Sequence, residues 1–409
     1  MTRSIPPLKI TFSQHEKLLM VILGAINFSH IVDFMVMMPL GPQLMRLFSI
    51  SPHEFGLLVS SYTFMAAISS FVSSLFIDKF DRKTALLFFY LGFAISTIAC
   101  AVSTNYSFLL LSRAFCGAFG GVLSSLVFAI LGDTINPERR ASAMGLVMIS
   151  FSVASVFGIP FSLTLANKYD WHSPFMFLGI ISAFISVFIA LRFPSMKNHL
   201  KGPGGIHEPF ATVKHVLSNP SQLFALAFIF AVVFGQFSMI PFMSPSFVAN
   251  GGLQETDLPL IYLLGGIISM VSSPLFGRLA DSFGKALIYR ISALVSIIPI
   301  FLITNLSISP RWVILTISSS FFFVMGGRMV PASAIMTTAA TPRYRASFMS
   351  MSSSVQQLGS SLASYIAGLI VIKNTQGQLE NYSTVGFITI ALTLLSIFLV
   401  GKIKSQEHH

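Results

Sequence analysis

Long apolar runs organise this chain. Charged residues bunch into short clusters, and between them lie hydrophobic stretches at 17–45, 54–77, 85–104, 107–133, 142–168 and 174–193, then at 222–246, 258–277, 286–305, 312–337, 347–371 and 384–402. About 20 apolar residues span a bilayer's hydrocarbon core as a helix. Backbone N–H and C=O groups find no water there, so continuous runs of this length close their hydrogen bonds within helices. Strands of a membrane barrel would instead alternate every second residue. The pattern predicts an all-α integral membrane protein with about twelve transmembrane helices.

The pattern is also duplicated. Asp78-Lys-Phe-Asp81-Arg82-Lys83 follows the second run, and Asp281-Ser-Phe-Gly284-Lys285 follows the eighth, 203 residues later. Pro137-Glu-Arg-Arg140-Ala-Ser-Ala-Met144 recurs 205 residues on as Pro342-Arg-Tyr-Arg345-Ala-Ser-Phe-Met349. Two polar motifs in the same order, each at the end of an apolar run, predict two homologous six-helix bundles inside one transporter-like membrane protein. The expected division is a first bundle at 1–193, a linker at 194–221 and a second bundle at 222–409. The linker's Gly-Pro-Gly-Gly turn at 202–205 and its amphipathic stretch around Phe210, Val213 and Val216 suit a short connector lying on the membrane surface.

Composition agrees: the 409 residues are 54% hydrophobic and only 10% charged, which leaves little surface for water. The net charge of +11 would suggest a nucleic-acid partner if it formed a patch. It does not, and no nucleic acid is expected. Arg3, Lys9, Lys17, Lys79, Arg82, Lys83, Arg139, Arg140, Arg192, Lys197, Lys201, Lys214, Arg278, Lys285, Arg290, Arg343, Arg345, Lys402 and Lys404 fall on one side of the predicted topology. Only Arg46, Lys168, Arg311 and Lys373 fall on the other. The positive-inside rule then puts both termini in the cytoplasm of a multi-pass protein, expected in a bacterial inner membrane and as a monomer. The first run is too long for a cleaved signal peptide. Cys100 and Cys116 lie inside apolar runs and read as small packing residues.

The paired loop elements, Gly/Ser-x-x-x-Asp-x-x-x-Arg/Lys between the second and third helices of each half, resemble the signature loop of the major facilitator superfamily. The resemblance runs through essentially the whole chain. It implies that Asp78 pairs with Arg82 and with Asp133 at the end of the fourth helix, as a conformational switch echoed by Asp281 and Lys285. Ser74 and Asp81 stand where that family usually has glycine, and Asp81 is expected to make the first loop turn less easily. Arg113-Ala-Phe-Cys-Gly117-Ala-Phe-Gly120-Gly121 is similar to the family's Arg-x-x-x-Gly element. Gly158-Ile-Pro160 matches part of the fifth-helix motif of drug:proton antiporters, which leans the reading toward export. Pro160 should kink that helix, and the broken stretches around Pro39-Leu-Gly-Pro42, Pro241–Pro245 and Pro331 should supply further bends.

Among the fourteen acidic residues, Asp33 alone falls in the middle of a predicted helix. Arg113 and Arg328 are the cations deep in apolar runs, and His30 is the histidine so placed. Such a charge costs at least about 2.5–3.5 kcal/mol to bury in a membrane helix, so these side chains need polar surroundings or one another. Asn27, His30 and Asp33 follow at three-residue steps along the first helix. A buried carboxylate that gains and loses an arginine partner changes its proton affinity. Asp33, Arg113 and His30 are therefore the expected proton-coupling residues, against the simpler reading of a fixed ion pair. One acid against two arginines leaves surplus positive charge for an anionic substrate, with Arg328 as its expected contact and Asn27, Gln236 and Gln356 adding hydrogen bonds.

These residues describe a transporter rather than an enzyme. Metal clusters, phosphate-binding glycine loops and a Ser-His-Asp arrangement do not stand out. No cofactor is expected, the proton gradient supplying the energy. The preferred reading is a proton-coupled exporter of small amphipathic or organic-anion compounds by alternating access. A proton-coupled uptake symporter for an amino acid or sugar, and a lysolipid flippase with an arginine on the lipid phosphate, stand as alternatives.

Overall fold

The computed structural model describes residues 12–74, 77–197, 218–339 and 345–403. The amphipathic stretch of the linker and the Pro342–Arg343 part of the second repeat motif lie outside the described residues, as does the side chain of Asp78.

In the first half, helix α1 (Gln14–Val36) starts from a capping box, the Ser13 and Glu16 side chains each accepting the other's backbone N–H. Pro39 and Pro42 fall in the break that follows, and a short α2 (Gly41–Leu47) turns the chain into α3 (Pro52–Ser74). Next come α4 (Arg82–Ala101) and α5 (Tyr106–Thr134). The fifth crossing is divided into α6 (Pro137–Val153), a π-helical turn at Ala154–Gly158 and α7 (Ile159–Lys168), and α8 (His172–Arg192) completes the half. Pro160 explains the π turn: its ring crowds the carbonyl four residues back, and widening the turn relieves that clash. Ile159 N–H accordingly reaches the carbonyl of Ala154, five residues back.

The second half holds α9 (Pro220–Ala249), α10 (Leu258–Phe283), α11 (Lys285–Thr304), α12 (Arg311–Thr338), α13 (Arg345–Ile370) and α14 (Tyr382–Val400). A small antiparallel hairpin pairs Ile372–Lys373 with Leu379–Glu380 before α14. Unlike the Pro39–Pro42 break, Pro241, Pro245 and Pro331 sit inside continuous helices.

Eleven of these crossings are long and apolar enough to span a membrane. The twelfth, α13, is long enough but carries Ser347, Ser350, Ser352, Ser353, Ser354, Gln356 and Gln357. Such a helix avoids lipid by packing between the halves, against α3 on one side and α9 on the other. There Gly56 and Gly368 bring the two backbones together: a Cβ on Gly56 would sit 3.0 Å from the Cα of Gly368.

The core shows how the halves meet. On the face carrying the linker each half keeps its own apolar cluster, Leu23, Leu86, Phe93, Leu126 and Ile130 in the first and Phe228, Ile229, Tyr289, Met336 and Phe348 in the second. On the opposite face one cluster runs through both, joining Met38, Leu44, Phe55 and Leu58 to Phe242, Phe247, Ile300 and Phe321. One shared cluster thus joins the halves on that face, while on the linker face the described apolar clusters each stay within one half.

Candidate functional site

The Arg-x-x-x-Gly element of α5 positions the buried charge pair. A Cβ on Gly117 would lie 2.0 Å from the carbonyl oxygen of Tyr62, so only glycine lets α5 press its backbone onto α3 here. One turn earlier, Arg113 lies over the Tyr62 ring, 4.7 Å from its centre. From there Nη1 of Arg113 donates to Oδ2 of Asp33 at 2.8 Å and to the Asp33 carbonyl at 3.3 Å. Thr97 Oγ1 donates to the other carboxylate oxygen at 3.4 Å. Asp33 and Arg113 are fully buried. Four helices, α1, α3, α4 and α5, thus enclose one charge pair, with Cys100 and Cys116 beside it, sulfurs 3.7 Å apart.

His30 and Asn27 belong to a separate, uncharged network. Nε2 of His30 lies 3.1 Å from Oδ1 of Asn27 and 2.9 Å from Oγ of Ser124 on α5. Ser124 also donates to Asn27 Oδ1 at 3.0 Å, and Asn27 Nδ2 donates to Ser150 on α6 at 2.8 Å. Expected to share in proton coupling, His30 makes no contact with Asp33 or Arg113 among these hydrogen bonds.

Across the gap, Gln236 on α9 is half-buried and Gln356 on α13 donates to Ser352 of its own helix at 3.3 Å. Above them Phe34 packs against Tyr62 at 5.1 Å and against Phe237 of the other half at 6.0 Å between ring centres. This aromatic bridge roofs the space between the halves.

Arg328, the expected contact for an anion, sits inside the second bundle. It is 1% exposed, and Nη1 donates to Ser296 of α11 at 3.3 Å. Nε and Nη2 are buried without a hydrogen-bond partner. Tyr289, beside it, meets Phe228 edge to face at 4.8 Å between ring centres and hydrogen-bonds Ser396 at 2.5 Å.

At the linker-side loop Arg82 Nε pairs with Asp133 Oδ2 at 2.9 Å, while the side chain of Asp78, the expected centre of that group, lies outside the described residues. Asp281 is exposed, and among the described residues it forms no ion pair with Lys285. Asp81 does not hinder the turn as the sequence suggested. Its φ is −56°, whereas Gly284, its counterpart in the repeat, adopts +96°. At Asp81 the turn needs no left-handed backbone, so a side chain is accepted, and that carboxylate takes hydrogen bonds from Lys83 N–H, Met196 N–H and Ser195 Oγ. Gly158 keeps its expected place in the fifth crossing: a Cβ there would stand 2.4 Å from Val32 of α1.

The sequence model of the Major Facilitator Superfamily matches residues 23–364 and 271–408. The chain belongs to this superfamily. Its helices superpose on a bacterial homologue of the human lysosomal transporter Spinster, solved inward-facing and unoccupied, with a TM-score of 0.72 and 15% identity over 96% of this chain and 95% of that one. The inward-open xylose transporter XylE of E. coli gives 0.74 and 14% over 96% and 97%. Among superfamily relatives, the transporter YwfA of Bacillus subtilis strain 168, itself uncharacterised, is 26% identical over 89% of this chain and 87% of its own length. A probable sugar efflux transporter of Helicobacter pylori (strain ATCC 700392 / 26695) is 24% identical over 55% of this chain and 56% of its own. The superfamily members are transporters rather than enzymes, and this chain is a multi-pass membrane transporter.

Sequence reasoning missed Tyr62, Thr97, Ser124 and Ser150. Serines and threonines are common in membrane helices, where they also bond their own backbone, and spacing gives no sign of which ones face a functional group. It also placed Arg46 on the face opposite the termini without a partner. Arg46 forms a bidentate pair with Glu255, whose backbone carbonyl accepts from Asn167 Nδ2 at 3.2 Å.

Proposed function

We propose that the chain is a proton-coupled exporter of small amphipathic solutes, working by alternating access from a bacterial inner membrane with its linker face in the cytoplasm. One observation carries the coupling: the Asp33–Arg113 pair is fully buried where α1, α3, α4 and α5 converge. A proton that reaches Asp33 removes its charge and frees Arg113. The two protonation states therefore prefer different arrangements of these helices, which is the link a gradient needs to drive rocking. The probable sugar efflux relatives support the outward direction and a cargo bearing hydroxyl groups. The uncharged lining of His30, Asn27, Ser124 and Gln236 under an aromatic roof supports a cargo with both hydrogen-bonding and apolar parts.

The test is transport in proteoliposomes under an imposed pH gradient. Asp33→Asn should insert and fold yet lose gradient-driven flux; normal proton-coupled flux from this variant would rule out Asp33 as the carrier.

A second reading, an organic-anion cargo, is favoured by Arg328, whose Nε and Nη2 have no partner. A carboxylate reaching it would be held by a planar fork that lysine lacks. Under that reading Arg328→Lys weakens cargo binding and Arg328→Ala weakens it further. A cationic cargo, or unchanged affinity in Arg328→Ala, removes it.

A further inference from the structure

The network around His30 fixes where its proton sits. Ser124 donates its hydroxyl hydrogen to Asn27 Oδ1, so the Ser124 oxygen turns a lone pair toward His30 Nε2 at 2.9 Å. Asn27 Oδ1, which can only accept, lies 3.1 Å from the same nitrogen. Both neighbours of Nε2 are acceptors, so Nε2 carries the hydrogen and the lone pair of the neutral ring lies on Nδ1. Asn27 is itself held by its donation to Ser150, which keeps its oxygen turned toward the histidine. The hydrogen bonds of His30 among the described residues are all made by Nε2, and Nδ1 has no partner there.

His30 is half-buried on α1. Phe34 lies one turn further along α1 on the same face, and its ring meets Phe237 of the second half. His30 stands on the linker side of that contact. Gln236, on α9 of the second half next to Phe237, is half-buried.

We propose that His30 Nδ1 is the acceptor that reads a hydroxyl or N–H of the cargo, with Phe34 and Phe237 covering the cargo's apolar part. Asn27, Ser124 and Ser150 are positioning residues that act by setting the tautomer. This rests on the reading that cargo passes between the halves. It adds a selection rule: a molecule of the same shape without a donor leaves Nδ1 unpaired once water is displaced, and is rejected.

The full chain in lipid nanodiscs, labelled with ¹⁵N-histidine, tests this. The His30 resonances are assigned by their loss in His30→Gln. The probes are methyl β-D-glucopyranoside and its tetra-O-methyl ether, which keeps the acceptor oxygens and removes every donor. The expected result is an Nε2–H tautomer whose Nδ1 signal moves with the glucoside and not with the ether. In Ser124→Ala the tautomer ratio should shift toward Nδ1–H. The asparagine amide can place its oxygen near the site of Nδ1, so His30→Asn should keep glucoside affinity within about threefold, while His30→Gln loses about tenfold. An Nδ1–H tautomer in the wild type, or an Nδ1 signal unmoved by both probes or moved equally by both, overturns the proposal. No gradient is applied, so a failure of proton coupling at Asp33 leaves these readouts unchanged and is told apart from a failure here.

Discussion

Arg46 grips Glu255 with both terminal nitrogens, Nη1 on Oε1 and Nη2 on Oε2 at 3.1 Å, across the seam between the two halves. The pair sits over the core shared by both halves, whereas among the described residues the linker-side clusters each stay within one half. It therefore stabilises the arrangement in which the halves are joined on this face. Arg46 is 62% exposed, so its contribution is that of a surface pair, up to about 1 kcal/mol. Glu255→Gln should raise the population of the opposite arrangement by up to about fivefold. Replacing Cys100 and Cys116 by alanine and placing one cysteine at Met38, within the sealed core, gives the readout as labelling rate from the side opposite the linker. An unchanged rate would leave Arg46–Glu255 without a gating role.

The buried pair behaves differently when broken from one side. Arg113→Ala leaves the Asp33 carboxylate without its counter-charge and should destabilise the protein by about 3–5 kcal/mol. Adding Asp33→Asn should recover much of that loss, because no uncompensated charge remains. A double-mutant cycle by thermal unfolding in detergent measures the coupling, and additive effects would contradict the geometry described.

Glycines offer a matched comparison. A Cβ at Gly117 meets the Tyr62 carbonyl, which cannot move aside, while at Gly24 a Cβ meets nothing within 4 Å. Gly117→Ala should cost about 1–3 kcal/mol through forced separation of α3 and α5. Gly24→Ala should be neutral or mildly stabilising, since it removes backbone freedom within a helix. Melting temperatures of the two variants decide it.

Arg328 predicts a gain. Burying a guanidinium with one serine hydroxyl bond and two unpartnered nitrogens costs free energy that a similar-sized apolar side chain avoids. Arg328→Met should raise the melting temperature of the empty protein. A fall would mean that the arginine holds α11 and α12 together.

Asp81 gives the pH dependence. Burial acts to raise its pKa, but the hydrogen bonds from Ser195, Met196 N–H and Lys83 N–H outweigh it and hold the carboxyl below its usual range. A depressed folded pKa adds stability above the unfolded value, near 3.9 for aspartate, and that stability disappears as pH falls through the folded value. Asp81→Ala should cost about 1 kcal/mol at pH 7 through the lost helix cap. The difference from wild type should shrink in acid, which unfolding at stepped pH would record.

By itself the sequence determined the membrane class, the helical architecture, the duplicated polar motifs and the rank of Asp33 and Arg113 as the residues to watch. These are local or additive properties: a run of apolar residues must become a helix in lipid, and a lone acid within one must find a partner. Among the helices, α13, read from the run 347–371, carries serines that are screened from lipid by neighbouring helices. Tertiary structure alone decided which partners were found. Asp33 took Arg113 and Thr97 rather than His30, because Gly117 and Gly121 let α5 pack closely onto α3 and so place Arg113 beside Asp33. Arg328 turned into its own bundle, His30 joined a serine network, and Arg46 met Glu255 from 209 residues away. Helical periodicity gives the face on which a side chain lies. Which helix stands opposite, and at what depth, depends on packing between segments distant in sequence, and the hydrogen-bond partners follow from that.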